Sequence, residues 1–335
     1  MGLYLNFPSW IDPYIFSFLP IRWYALMYIV AFFIAYIMFR YQVNHDRTME
    51  ISGEESENLF FSAILGLIIG ARVFSCLFYS DTTYYLTHPW MMFWPFRNGE
   101  FVGLPGMSYH GGVVGCFLGG LIYCHRHGRS ILEVTDMIVT GIPLGYTFGR
   151  IGNFINGELY GRVTTSPFGM VFPDAERFST THEWVRAVAD EIGMSYSYGD
   201  YLNLPRFPTQ LMEAFFEGIV IFLILFFIFR PLKIKKNLRH GTIFSVYLIL
   251  YGLFRFLIEY LREPDSNIGY VIKLGKGSDN IALFSSFLNI SKGQIFCLLM
   301  ITAGILLLVF INSRRISIHD GGRKAGCAEK KTKGR

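Results

Sequence analysis

Seven apolar stretches, each close to the ~20 residues a helix needs to cross the hydrocarbon core of a bilayer, constrain this chain more than any other feature. They run over Trp23–Phe39, Leu59–Tyr79, Met107–Tyr123, Val134–Ile155, Leu211–Phe229, Thr242–Tyr260 and Ile295–Ile311. Composition points to the same solvent. Hydrophobic residues make up 52% of the chain and charged residues only 16%, where a soluble globular protein carries about 25% charged residues. The expected fold is an all-α polytopic membrane protein of about seven transmembrane helices.

Basic residues set the expected orientation. Arg40 and Arg47 follow the first stretch, Arg126 and Arg129 the third, and Arg230, Lys233, Lys235, Lys236 and Arg239 the fifth; Arg314, Arg315, Arg323 and Lys324 follow the last. Cationic loops stay in the cytoplasm, which places the N-terminus outside and the C-terminus inside. The net charge of +5 is then a trace of topology, with no nucleic-acid partner implied. The N-terminus lacks a basic n-region, and Trp10, Asp12 and Pro13 interrupt it before the first apolar run, so no cleavable signal peptide is expected. Pro8, Trp10, Pro13, Tyr14 and Phe16 fit an interfacial segment on the outer leaflet. Two outer loops are long. Ser80–Pro105 carries Trp90, Trp94 and Phe96, while residues 162–208 mix polar and aromatic groups and are expected to form an outer-face loop or small extramembrane cap within a transmembrane domain of residues 1–311. Residues 312–335 are expected to be a basic, disordered cytoplasmic tail. No internal repeat is evident, which weighs against most secondary transporter folds. The five cysteines form no C-x-x-C pair, so they are expected to be free thiols acting as small apolar residues.

The informative residues are the polar ones inside these stretches. An arginine at the centre of a membrane helix costs about 2.5–3.5 kcal/mol on insertion scales and normally faces a protein interior or polar cavity. The fourth stretch runs out through Gly149-Arg150-Ile151-Gly152-Asn153-Phe154-Ile155-Asn156-Gly157-Glu158. Arg150 and Asn153 share a helical face at i, i+3, so a guanidinium and an amide can address one ligand. A purely structural alternative has Arg150 satisfied by Glu158 and backbone carbonyls. In the sixth stretch Tyr251, Arg255, Glu259 and Arg262 fall on one stripe, at steps of four, four and three. A Glu259–Arg255 ion pair would lower the cost of burying either charge. His110, with an unperturbed pKa near 6.5, opens the third stretch in Ser108-Tyr109-His110-Gly111-Gly112, close to the same leaflet as Arg150 and Arg255. Arg72 lies mid-stretch in the second and needs a carboxylate or a headgroup. Tyr24 follows Arg22-Trp23 at the start of the first. Asp136, near the cytoplasmic start of the fourth, fits a capping or ion-pair role.

These residues resemble the bacterial prolipoprotein diacylglyceryl transferases. The family signature G-R-x-G-N-F-x-N-G-E-x-x-G is matched by Gly149 through Gly161. Met107-Ser108-Tyr109-His110-Gly111-Gly112 is similar to its histidine motif, and Tyr251-Gly252-x-Phe254-Arg255 with Glu259, Arg262 and Pro264-Asp265 to its C-terminal motif. Arg22-Trp23-Tyr24 and Pro208-Thr209-Gln210-Leu211 resemble two further elements. The similarity spans about Phe7 to Ile311. Departures are Ala25, where the family usually has glycine, Met212, where it usually has tyrosine before glutamate (here Glu213), and Arg22, where some members have histidine.

The resemblance implies an enzyme of the bacterial cytoplasmic membrane, with its site towards the outer leaflet. Its partners would be phosphatidylglycerol, prolipoprotein signal peptides with a lipobox cysteine, and the bilayer; no cofactor or metal is implied. The cysteine thiolate would attack the lipid glyceryl carbon and displace glycerol phosphate, leaving a thioether. On that reading Arg150 and Arg255 bind the phosphate, and His110 is a base or hydrogen-bond orienter for the thiol. Asn153, Asn156 and Glu158 order the headgroup, Glu259 positions Arg255, and Tyr24 and Tyr251 line the cleft. Arg72 and Arg262 complete the substrate-binding set. A lipid flippase or transporter, an intramembrane protease and an inactive lipid-binding scaffold are the competing readings. The outward clustering of polar groups favours one-sided chemistry over transport, and no serine–histidine or paired-aspartate arrangement supports a protease.

Overall fold

The computed structural model describes residues 4–16, 19–46, 51–80, 82–97, 99–101, 103, 106–263, 269–275 and 280–329. Arg47, Pro105, Pro264 and Asp265, which figured in the readings above, lie outside the described residues. The chain is mostly helical. Its principal helices are α1 (Trp23–Asp46), α2 (Gly53–Phe78), α3 (Tyr109–Arg126), α4 (Ile131–Ile155), α5 (Glu183–Ile192), α6 (Thr209–Lys236), α7 (Thr242–Ile258) and α8 (Lys292–Glu329). Among the described residues, four are long and apolar enough to cross a bilayer: α1, α2, α6 and the Lys292–Ser313 part of α8. Helices α3, α4 and α7 occupy the other three apolar stretches. The segment expected to be disordered from Asn312 instead continues α8 as helix to Glu329. Extending an existing helix costs far less than nucleating one.

Two compact units divide the chain: Arg40–Thr135, and Met1–Phe39 together with Asp136–Arg335. The Arg40–Thr135 unit is built on α2 and α3. A capping box starts α2, with Ser52 Oγ accepting from Glu55 N (3.1 Å) and Ser52 N donating to Glu55 Oε2 (2.8 Å). The two helices touch backbone to backbone. A Cβ on Gly66 would stand 2.3 Å from the Gly115 carbonyl oxygen, and one on Gly115 would stand 2.1 Å from the Gly66 oxygen. Small residues at four-residue spacing allow this approach, which replaces a hydrophobic driving force that apolar lipid cannot supply. Ser62 Oγ reinforces it by donating to the Gly119 oxygen (3.0 Å).

The larger unit holds the remaining helices. Its α4, α6 and α7 pack through Val139, Ile221, Leu225 and Ile243. Asp136 is fully buried, and its carboxylate accepts from Lys233 Nζ, Gly241 N and Phe244 N, each at 2.8 Å. It therefore caps the start of α7 and pairs Lys233 at once, as the sequence led one to expect. Removing one partner of a buried ion pair costs about 3–5 kcal/mol. Asp136→Ala is accordingly expected to lower the thermal unfolding temperature in detergent by more than any alanine substitution at an exposed acid such as Glu183.

Residues 162–208 form a folded subdomain around α5. Val185, Val188 and Ile192 face Val163, Leu204 and Ala282 in one core. The N-terminal segment is sewn to it: Leu5–Asn6 pairs in parallel with Met170–Val171, and Phe7 packs on Phe154 and Phe172. Trp10, 83% exposed, is left outside this packing.

Candidate functional site

Three segments that are far apart in sequence are tied to one another here: the Gly149–Gly161 run, the start of α6 and the end of α7. Helix α4 ends at Ile155, and Gly157, at φ +67°, turns the chain away as the glycine content of the run predicts. Gly161 N then donates to the Phe207 oxygen (2.8 Å), and Arg162 N to the Leu261 oxygen (2.8 Å). Gln210 Nε2 donates to the Glu158 oxygen (2.6 Å) and Thr209 Oγ1 to the Leu159 oxygen (3.2 Å). These bonds, two between backbones and two from side chains to backbone, tie the three segments together.

Tyr146 and Arg150 stand one turn apart on α4. Arg150 Nε donates to the Tyr146 hydroxyl (2.6 Å), and the guanidinium carbon lies 4.8 Å from the Tyr146 ring centroid. The same Nε is 2.9 Å from Glu213 Oε2. Among the described residues, the two terminal nitrogens of Arg150 have no protein hydrogen-bond partner. Arg255 is held differently. Its Nη1 donates to Glu213 Oε1, and its Nη2 lies 2.9 Å from Glu259 Oε2. Arg262 Nη1 donates to the same Glu213 oxygen (3.1 Å), and its Nε is 3.9 Å from Glu259 Oε2. The stripe read from the sequence is therefore real, and the Arg255–Glu259 pair is present.

The structural alternative for Arg150 is corrected in its partner. Glu158 does not pair with Arg150; its Oε1 accepts from Asn153 Nδ2 (3.0 Å) and Asn156 Nδ2 (3.2 Å). The two amides and the carboxylate lock one another just beyond the arginine. Tyr251 stands edge-on to Tyr146, with ring centroids 5.9 Å apart. Tyr24 bonds Tyr28 hydroxyl to hydroxyl at 2.8 Å, and a Cβ on Gly152 would lie 3.4 Å from the Tyr24 Cα, which brings α1 against the signature run.

Two carboxylates in this site escaped the sequence reading as functional groups. Glu213 and Glu217 are fully buried and one helical turn apart on α6. Glu217 Oε2 accepts from the Tyr146 hydroxyl (2.6 Å), and Glu217 Oε1 lies 3.9 Å from Arg255 Nη1. Around Glu217, α6 widens into π-helical turns over Ala214–Val220, a distortion that recurs at functional sites. Gly218 permits the approach to α4, since a Cβ there would stand 2.0 Å from Thr147 Oγ1. Three arginines and three carboxylates (Glu213, Glu217, Glu259) thus balance inside an apolar helix packing, which is what makes burying any of them tolerable.

A family model for prolipoprotein diacylglyceryl transferase matches residues 13–310. The chain belongs to this family. Proteins named phosphatidylglycerol–prolipoprotein diacylglyceryl transferase are similar to it along almost their whole length. The one from Treponema denticola is 46% identical over 340 residues, covering 96% of this chain and 99% of its own. That from Treponema pallidum is 46% identical over 317 residues, covering 90% and 94%, and that from Chlorobaculum tepidum 39% identical over 315 residues, covering 92% and 93%.

Two residues of the family resemblance belong to the Arg40–Thr135 unit. His110 is exposed in the first turn of α3, behind the N-cap Ser108, whose hydroxyl accepts from Gly111 N (3.4 Å). Arg72, expected to need a carboxylate or a headgroup, is 4% exposed and bonds backbone carbonyls. Its Nε donates to the Met92 oxygen, its Nη1 to the Gly106 oxygen (3.2 Å), and it lies over the Tyr85 ring. These two carbonyl partners, Met92 and Gly106, could not be read from helical spacing. The glycines after His110 serve helix packing, with a Cβ on Gly111 meeting the Gly70 oxygen at 2.4 Å.

Proposed function

We propose that this chain transfers the diacylglyceryl group of phosphatidylglycerol to the lipobox cysteine of prolipoproteins, the first step of bacterial lipoprotein maturation. Family membership and the activity for which relatives 39–46% identical to it are named support the reaction. The observation that carries the assignment of the site is the posture of Arg150. It is held by its Nε while its terminal nitrogens have no protein partner among the described residues, and such a fork matches two oxygens of a phosphate.

The chemistry follows from charge. The cysteine sulfur forms a bond to the glyceryl carbon that carries the phosphate. The C–O bond to phosphate breaks, and its electron pair leaves on the phosphate oxygen of glycerol phosphate. Negative charge therefore grows on the phosphate in a water-poor site, where preorganised cations stabilise it most. Arg150 contacts the phosphate. Arg255 and Arg262, held by Glu213 and Glu259, place fixed guanidinium donors behind it. Asn153, Asn156 and Glu158 set the headgroup, with Tyr24 and Tyr251 along its path and Arg72 at a supporting position. His110 takes or orients the thiol proton, whose free pKa is near 8.5. The chain spans the cytoplasmic membrane seven times, with the N-terminus and the 162–208 cap outside. The site then lies towards the outer leaflet, where exported precursors present their cysteines.

Purified protein, phosphatidylglycerol and a lipobox peptide test the reading by mass spectrometry. A diacylglyceryl mass gain on the peptide, absent from its Cys→Ser version, is expected. Bound phospholipid with no gain would move the reading to a scaffold or a transporter. In the same assay His110→Asn is expected to cut the rate by about 10²–10⁴-fold, the range of general acid–base assistance. A near-wild-type rate across pH would remove the base.

A further inference from the structure

An arginine that binds phosphate end-on must have its guanidinium plane fixed by something other than the ligand. In Arg150 the fixing contacts all fall on Nε and on one face. The single Nε hydrogen goes to the Tyr146 hydroxyl (2.6 Å), and the Tyr146 ring lies under the guanidinium carbon at 4.8 Å. That hydroxyl can accept from Arg150 only in one orientation, because its own hydrogen is committed to Glu217 Oε2 (2.6 Å). Glu217 in turn is set by the π-helical widening of α6 and by the close contact of Gly218 with Thr147, whose hydroxyl is within hydrogen-bond distance of the Pro143 (3.2 Å) and Ala214 (3.3 Å) oxygens. The competing acceptor is near. Glu213 Oε2, 2.9 Å from Arg150 Nε, accepts no hydrogen bond in this arrangement.

We propose that Tyr146, held by Glu217, is a positioning residue that fixes the guanidinium plane of Arg150 so that its two terminal nitrogens face the lipid phosphate. Without the hydroxyl, the Nε hydrogen turns to Glu213 Oε2 and the fork rotates with it. The charge stays in place while its aim is lost. This inference rests on the phosphate-clamp reading of Arg150 given above. Neither residue touches substrate on this account; both act through the arginine, as outer groups do for the ligands they orient.

The test uses the full-length protein in detergent micelles, with phosphatidylglycerol and a lipobox peptide as substrates. Rates are normalised to folded protein. Tyr146→Phe keeps the ring and removes the hydroxyl. It is expected to lower kcat/KM by about 10²-fold, the scale of a misplacement of about 1 Å in a reacting geometry, with most of the loss in kcat and little change in KM for the lipid. Glu217→Leu is expected to do the same. Glu217→Gln, whose amide oxygen still accepts from Tyr146, recovers most of what Glu217→Leu loses. The double variant Tyr146→Phe/Glu217→Leu is no slower than either single one, because residues that act as one unit are not additive. Wild-type rates in Tyr146→Phe, or a double variant showing the product of two independent losses, would overturn the proposal. So would a loss that vanishes on normalisation to folded protein. The Arg150→Ala control separates the two levels of the argument. Full activity there defeats the clamp reading itself, whereas an inactive Arg150→Ala beside a normal Tyr146→Phe defeats only the positioning role.

Discussion

Arg150→Ala is expected to reduce turnover of phosphatidylglycerol by about 10³-fold or more while the protein remains folded. Losing one preorganised donor to a developing oxyanion costs about 10²–10³ in kcat, and this side chain supplies two terminal nitrogens as well as a full charge. The protein should tolerate the change because Arg150 is the least committed of the three arginines. Glu213 keeps Arg255 and Arg262 as partners when Arg150 is removed. Arg150→Lys retains the charge but replaces a planar fork with a point donor, so it is expected to recover only a minor part of the rate. Arg255→Ala gives the useful contrast. It leaves Glu259 without its near partner and Glu213 without one of three, so activity and thermal stability should fall together. Steady-state kinetics and a melting curve on each variant check both halves. A folded Arg150→Ala protein with unchanged turnover would take the phosphate contact away from this residue.

The helices were legible because lipid imposes a length and an apolar composition that stand out in any window of the sequence. All seven apolar stretches are helical, and the stripe Tyr251, Arg255, Glu259, Arg262 followed from helical periodicity alone. Partner choice was much less legible. Two carbonyls that accept from Arg72 come from residues 20 and 34 positions along the chain, and the carboxylate nearest Arg150 lies on a different helix. Spacing rules relate residues on one helix and say nothing about which helix comes next to it. Yet one signal for the missed acids was present. Glu213 and Glu217 are two carboxylates one turn apart at the start of an apolar span, and the rule that made the embedded arginines conspicuous applies equally to acids. Tyr146 carried no such mark. A tyrosine in a membrane helix is ordinary, and only the 2.6 Å contacts on both sides of its hydroxyl give it a role. The mixed composition of the 162–208 segment set it apart from the apolar stretches, whereas its core depends on Val163, Leu204 and Ala282 meeting α5.

The other large effect is expected at Glu213, and it differs in kind from that at Arg150. This carboxylate is fully buried and lies within ion-pair distance of Arg150, Arg255 and Arg262. Glu213→Ala leaves three guanidinium groups in an apolar packing with Glu217 and Glu259 as the remaining acids of the cluster. Breaking a buried ion pair by removing one partner costs about 3–5 kcal/mol, which corresponds to a fall in melting temperature on the order of 10 °C. Transfer activity should be lost with it, because the cations repel and leave the geometry that the phosphate needs. Stability and activity can then be separated by relieving the excess charge. In Glu213→Leu/Arg262→Leu a charged pair is exchanged for apolar side chains, and such exchanges are often neutral or stabilising in buried settings. The double variant is expected to regain much of the lost melting temperature and little of the activity, since Arg255 still lacks the Glu213 oxygen that anchors its Nη1. Recovery of both would reduce Glu213 to a counterion. Recovery of stability alone makes it the residue around which the arginines are arranged, with the charge balance of the cluster set by Glu213 and the phosphate contact left to Arg150.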